Sequence, residues 1–161
     1  LDSREKGNSS KENASLIGSC YFNLERYEEA LPFFLDSREK GNSSKENASL
    51  IGNCYFNLKR YEEGLSYYEK AIGAAKKDEF NRNWMFTLNN VFWYSFDLLN
   101  RARESLQSPV YYQLLQKFQG LYTEFVGFWK QNEELPADVP SKLIHPLLNY
   151  TNAGPILKET A

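Results

Sequence analysis

Residues 1–34 return as residues 35–68 with six substitutions: Ser19, Glu25, Ala30, Pro32, Phe33 and Phe34 give way to Asn53, Lys59, Gly64, Ser66, Tyr67 and Tyr68. A tandem period of 34 residues constrains the fold more than any composition does. A unit of that length is one helix–turn–helix, too small to bury its apolar face alone, so it must stack on a neighbour. Such near-identity of the copies points to a recent duplication or an engineered extension of the repeat.

Within each copy the local signals are helical. Ser9 and Glu12, and again Ser43 and Glu46, have the spacing of a capping box, which predicts a first helix running to about Asn23 and Asn57. At 100° per residue, Ala14, Ile17, Cys20, Tyr21 and Leu24 share one face. Glu12, Ser15, Ser19, Phe22 and Asn23 share the other, as do Glu46, Ser49, Asn53, Phe56 and Asn57 in the second copy. A second helix is expected from Tyr27 to Lys40, with Tyr27, Ala30, Leu31 and Phe34 inward and Gly41 as a left-handed stop. Pro32 falls near the start of that helix; past the first turn it would remove a hydrogen bond at a cost near 3 kcal/mol.

The pattern Ile17-Gly18-x-x-Tyr21 followed by Ala30-x-x-x-Phe34 recurs as Ile51-Gly52-x-x-Tyr55, Gly64-x-x-x-Tyr68 and Ala71. It resembles the tetratricopeptide repeat over residues 1–78. The small residues Gly18 and Ala30, or Gly52 and Gly64, let the paired helices approach, and the aromatics fill the space beside them. The sequence departs from the family at Ala14 and Ala48, where the consensus has Trp, and at Asn42, where Pro often follows the second helix. The resemblance implies an all-α, right-handed α-solenoid. The expected divisions are residues 1–7 as the remnant of a preceding second helix, 8–41 as one repeat and 42–78 as the next, in a chain excerpted from a longer one.

One further step of 34 from Gly52 lands on Phe86, so residues 79–161 are not a third copy. Phe80, Trp84, Leu88, Val91, Phe92 and Leu99 still recur at helical spacing. After Ser108-Pro109, a helix start, Tyr111, Leu114, Leu115, Phe118, Tyr122, Phe125 and Trp129 form a second stripe. Residues 79–132 are therefore expected as a divergent, aromatic helical hairpin that ends the array. Residues 133–161, with Pro136, Pro140, Pro146 and Pro155, are expected as a tail holding one short helix near 141–149.

The formal charge of −2 is spread evenly, which excludes the basic stripe of a nucleic-acid binder. No apolar run approaches the roughly 18 residues of a membrane span. Cys20 and Cys54 occupy one position in successive repeats and read as buried thiols rather than a disulfide, because equivalent stacked helices lie about 8–10 Å apart. They suit a reducing, cytoplasmic setting.

Catalytic chemistry is not visible: there is no phosphate loop, dinucleotide fingerprint or Cys-x-x-Cys, and His145 is the single histidine. Glu28-Glu29 and Glu62-Glu63 read as first-turn acids that favour the helix dipole. The sequons at Asn8, Asn13, Asn42, Asn47 and Asn149 read as structural. The carboxylate clamp of chaperone-binding repeats would want Lys at Ser15 or Ser49 and Asn at position 19 or 53; only Asn53 complies.

The resemblance implies a non-catalytic scaffold, with no cofactor or metal, that binds a protein or peptide along the face Glu12, Ser15, Ser19, Phe22, Asn23, Glu46, Ser49, Asn53, Phe56 and Asn57. Phe22 and Phe56 are aromatics on a polar face, either partner anchors or packing against the neighbouring helix. The competing reading is a structural self-association module that oligomerises by stacking or swapping repeats through the N-terminal end.

Overall fold

The computed structural model describes residues 3–136, with side chains from Ser10 onward. Among the described residues the chain is all helical, without a strand: α1 Ser3–Asn23, α2 Tyr27–Glu39, α3 Lys45–Asn57, α4 Tyr61–Lys77, α5 Arg82–Arg101 and α6 Ser108–Asn132. It divides into two compact units that part between Asp78 and Glu79. The proline-containing segment from residue 137, with His145, Asn149 and the expected short helix, lies outside the described residues.

The first unit is two helix pairs, α1 on α2 and α3 on α4, joined by packing of α2 on α3. Each pair turns over in the same way. Glu25 and Lys59 adopt left-handed φ values of 58° and 62°. Their N–H groups reach the Phe22 and Phe56 carbonyls, while the Arg26 and Arg60 N–H groups reach Tyr21 and Tyr55. This crossed pair of bonds closes the helix C-terminus, here on residues other than the usual glycine. Arg26 then lies over the Tyr21 ring at 4.9 Å and Arg60 over Tyr55 at 4.8 Å.

Gly41, at φ 109°, ends α2 as expected, with its N–H on Arg38 and that of Asn42 on Ser37. The expected cap at Ser43 is displaced by one residue. Ser44 takes the cap position, and its Oγ accepts the Asn47 N–H at 3.1 Å, because the Asn42 Oδ1 turns the chain by accepting the Ser44 N–H at 3.3 Å. A helix start at Ser9 is absent as well. The stretch Ser-Arg-Glu-Lys-Gly-Asn-Ser-Ser is uninterrupted helix at residues 3–10, yet closes a helix and turns at residues 37–44. Its local preference is too weak to decide between the two.

Close approach inside each pair depends on glycine. A Cβ on Gly52 would stand 2.6 Å from the Tyr68 ring, and one on Gly18 would stand 2.8 Å from Phe34. Pro32 sits six residues past the N-cap Arg26, inside α2, so the Glu28 carbonyl loses its helical donor. The second copy has Ser66 there.

In the second unit α5 and α6 run antiparallel. Phe86 near the start of α5 meets Trp129 near the end of α6 at 5.0 Å, and Tyr111 at the start of α6 donates to Asn100 at the end of α5. Asn81 caps α5 by accepting the Trp84 N–H at 3.1 Å, and Pro109 occupies the first turn of α6. Phe92 is the hub, within 5.6 Å of the Phe118, Tyr122 and Phe125 rings. The buried Tyr122 hydroxyl donates to the Asn89 Oδ1 at 3.0 Å, so the aromatic core contains no stranded polar atom.

Candidate protein-interaction surface

The ten residues of the expected binding face all lie on α1 and α3, but they do not form one exposed stripe. Glu12, Asn23 and Glu46 are exposed; Ser15, Ser19, Phe22, Ser49, Asn53 and Asn57 are half-buried. Several are tied to their own helix. Asn57 Nδ2 donates to the Asn53 carbonyl and to its Oδ1 at 2.9 and 2.7 Å, and Ser49 Oγ donates to the Glu46 carbonyl at 3.0 Å. Glu46 also stands 3.3 Å from Lys45, whose ammonium bridges to Asp78 at 2.9 Å. The hydrogen bond to Asp78 raises the Lys45 pKa, and partial burial opposes it.

Phe56 is a correction. It is only 1% exposed and stacks on Tyr68 at 5.2 Å, with Tyr61 edge-on at 5.5 Å, so it is core and not a partner anchor. The reason lies in one of the six substitutions. A Cβ on Gly64 would stand 2.4 Å from the Phe56 ring, so the ring fills the volume that a side chain at 64 would take. In the first copy that position is Ala30, and Phe22 is correspondingly only half-buried, edge-on to Tyr27 at 5.4 Å and to Phe34 at 6.2 Å. Full burial of a phenylalanine is worth about 1.5–3 kcal/mol. Of the two, only Phe22 keeps an aromatic edge on the surface.

The paired cysteines also part company. Both thiols are free, but Cys54 is buried and Cys20 is exposed. Burial raises the Cys54 pKa to about 12. The face predicted to be inward is so only in α3, where Ala48, Ile51, Cys54 and Tyr55 are all buried. In α1, Ala14 is buried, but Ile17 is 43% exposed, and Leu24, just past its end, is 66% exposed.

In the sequence Asn42 and Asn47 read only as structural sequons, with no sign of what they join. Asn47, 2% exposed, donates from Nδ2 to the Phe34 carbonyl at 3.0 Å and accepts from Arg38 Nη1 at 3.1 Å, clamping α3 to α2. Asn42 Nδ2 donates to Ser37 Oγ, which in turn donates to the Lys11 carbonyl at 2.8 Å and so reaches α1. A Ser44-x-x-Asn47 spacing signals the cap alone; the interhelix role has no local signature.

Elsewhere in this unit a cleft of about 420 Å³ is lined by Arg38, Ser43, Lys70, Gly73, Ala74, Lys77 and Asp78. Arg38 and Lys77 stand at the C-terminal ends of α2 and α4, where the helix dipoles favour positive charge, and Lys70 lies mid-helix in α4. Glu29 and Glu63, at first turns, pair with Arg26 and Arg60 at 3.0 and 3.3 Å. Among the described residues no group of His, Cys, Asp or Glu side chains is arranged to hold a metal ion, and no helix is long and apolar enough to cross a membrane.

Residues 4–71 match the family model described as anaphase-promoting complex, cyclosome, subunit 3. The match covers less than half of the chain and spans α1 to most of α4, and it supports the assignment of these helix pairs to the tetratricopeptide class of repeat. No curated protein matches the chain.

Proposed function

With residues 4–71 as tetratricopeptide-type repeats, we propose that the chain is a non-catalytic scaffold that binds an extended or helical segment of a partner protein along the polar face of α1 and α3. Repeats of this class generally mediate protein–protein interaction, and the reading rests on that class as well as on the surface itself. The observation that carries it is that Ser15, Ser19 and Phe22 on α1 and Ser49 and Asn53 on α3 all stay partly accessible, hydroxyls and an amide together with one aromatic. Small polar groups beside an aromatic can hydrogen-bond a peptide backbone while the ring supplies apolar contact.

Selection of peptides from a displayed random library on the purified protein tests the proposal. Peptides selected this way are expected to lose binding to Phe22→Ala, and to Ser15→Arg with Ser49→Arg, while each variant keeps the helical circular dichroism spectrum of the parent. Selected peptides that bind all of these variants as well as the parent would place the binding surface elsewhere and refute the proposal.

A further inference from the structure

Arg38, Lys70 and Lys77 border the cleft of about 420 Å³ against a single carboxylate, that of Asp78. That carboxylate is already engaged, with Lys45 Nζ 2.9 Å away. Among the described residues none of the three cations pairs with a carboxylate of its own, in a chain whose formal charge is −2. The helix dipoles account for Arg38 and Lys77 but not for Lys70, which lies mid-helix.

Two of these cations are held in place. Arg38 Nη1 donates to the buried Asn47 at 3.1 Å, and the Tyr67 ring carries Arg38 at 5.7 Å and Lys70 at 4.1 Å. A π face attracts and orients a cation without neutralising its charge, and both groups keep further N–H donors. Between them the wall is low. Gly73 has nothing within 4 Å of the position its Cβ would take, and the Ser43 hydroxyl, which does not serve as the cap of α3, lines the cleft as an exposed group.

The charges do not come with the repeat. Lys70, Gly73, Ala74, Lys77 and Asp78 all lie past residue 68, where the repeated stretch ends. One period before Lys70 stands Asp36, which pairs with Lys40 at 2.7 Å. Stacking of helix pairs therefore needs no cation at position 70, and a cleft with an uncompensated positive lining is complementary to an anion. Its volume falls in the range of ligand pockets, about 300–1,000 Å³, and is more than one carboxylate fills.

We infer that this cleft binds an acidic segment of a partner protein, an extended stretch with at least two Asp or Glu side chains. Their carboxylates pair with Arg38, Lys70 and Lys77, and the segment's backbone passes over Gly73. The site lies on α2 and α4 and is separate from the polar face of α1 and α3.

The probe is a fluorescein-labelled hexaglutamate peptide, titrated with the whole chain and followed by anisotropy, with hexaglutamine as the neutral control. Saturable binding of hexaglutamate alone is expected, weakening as salt rises from about 0.01 M to about 1 M and the Debye length shrinks from about 30 Å to about 3 Å. Lys70→Glu with Lys77→Glu is expected to weaken it about tenfold or more, and Lys70→Gln with Lys77→Gln by less. Both pairs are expected to keep the helical circular dichroism spectrum of the parent, since these side chains are exposed. Lys59→Glu with Lys130→Glu makes the same change in net charge at exposed residues that do not line the cleft, and is expected to leave the affinity within about twofold. Phe22→Ala is expected to leave it unchanged, which separates this site from the other face. Absence of saturable binding at millimolar concentration, or equal weakening by the two Lys→Glu pairs, would overturn the proposal. So would displacement of the probe by a peptide with one phosphoserine at a lower concentration than unlabelled hexaglutamate requires, which would assign the cleft to a phosphoryl group.

Discussion

Replacing Gly52 by alanine tests the packing argument where it is tightest. The added methyl carbon would stand 2.6 Å from two ring carbons of Tyr68 and 3.1 Å from the Gly64 carbonyl oxygen. Tyr68 is 0% exposed and stacked on Phe56 at 5.2 Å, so its ring has no open side to move toward. Overpacking of this kind costs about 1–3 kcal/mol. Alanine is the better helix former by about 1 kcal/mol. The net expectation is a loss of up to about 2 kcal/mol, read as a urea midpoint lower by up to roughly 1 M at an m-value of about 2 kcal/mol/M. Gly73 on α4 is the internal control, because nothing lies within 4 Å of the position its Cβ would take. Gly73→Ala is accordingly expected to raise stability by about 0.5–1 kcal/mol. A second arm adds Tyr68→Leu, which opens space beside position 52; the double variant is expected to be more stable than the sum of the two singles by about 0.5–3 kcal/mol. If Gly52→Ala stabilises the protein as Gly73→Ala does, or if the two substitutions are strictly additive, the close approach of α3 and α4 is not a determinant of the fold.

Three further outcomes follow from single positions. Pro32→Ser, which copies Ser66 of the second repeat, restores the donor to the Glu28 carbonyl and is expected to stabilise the chain by about 2 kcal/mol in chemical denaturation; no gain would mean that α2 bends to absorb the proline. Lys59→Gly relieves a left-handed φ of 62° at the α3–α4 turn and is expected to add about 0.5–1 kcal/mol, with a loss of stability arguing that the Lys59 side chain makes contacts that outweigh the strain. Burial holds the Cys54 thiol protonated up to about pH 12 in the folded chain, against 9.0 for the free group. The unfolded chain therefore binds fewer protons above pH 9, and stability falls as pH rises from there to about 12, by up to about 1.4 kcal/mol per pH unit from this group. Cys54→Ala is expected to lessen that slope in denaturation curves taken at several alkaline pH values, and an unchanged slope would locate the effect in other groups such as the buried Tyr122, whose pKa burial also raises.

Much of the fold is legible in the chain because its causes are local or periodic. The 34-residue period announces stacked helix pairs. The positive φ at Gly41 is one that glycine permits, and Gly18 and Gly52 face an aromatic at a fixed spacing in both copies. What identical stretches do in different surroundings is not legible. Ile17 and Ile51, or Cys20 and Cys54, have nearly the same neighbours in sequence, with Ser19 against Asn53 the one nearby difference, and opposite burial, because burial belongs to two faces at once and only α3 has α2 laid across it. The same holds for Gly7 to Ser10, helical in one copy, against Gly41 to Ser44, a turn in the other. Phe22 and Phe56 share a helical position and nearly the same flanks, yet the second goes to the core because Gly64 on the opposite helix leaves room that Ala30 takes up. Helix and period were determined by the sequence itself; which apolar faces are buried, and whether a repeated stretch turns, were decided by tertiary context, since the free energy of burial depends on an opposing surface that no single segment encodes.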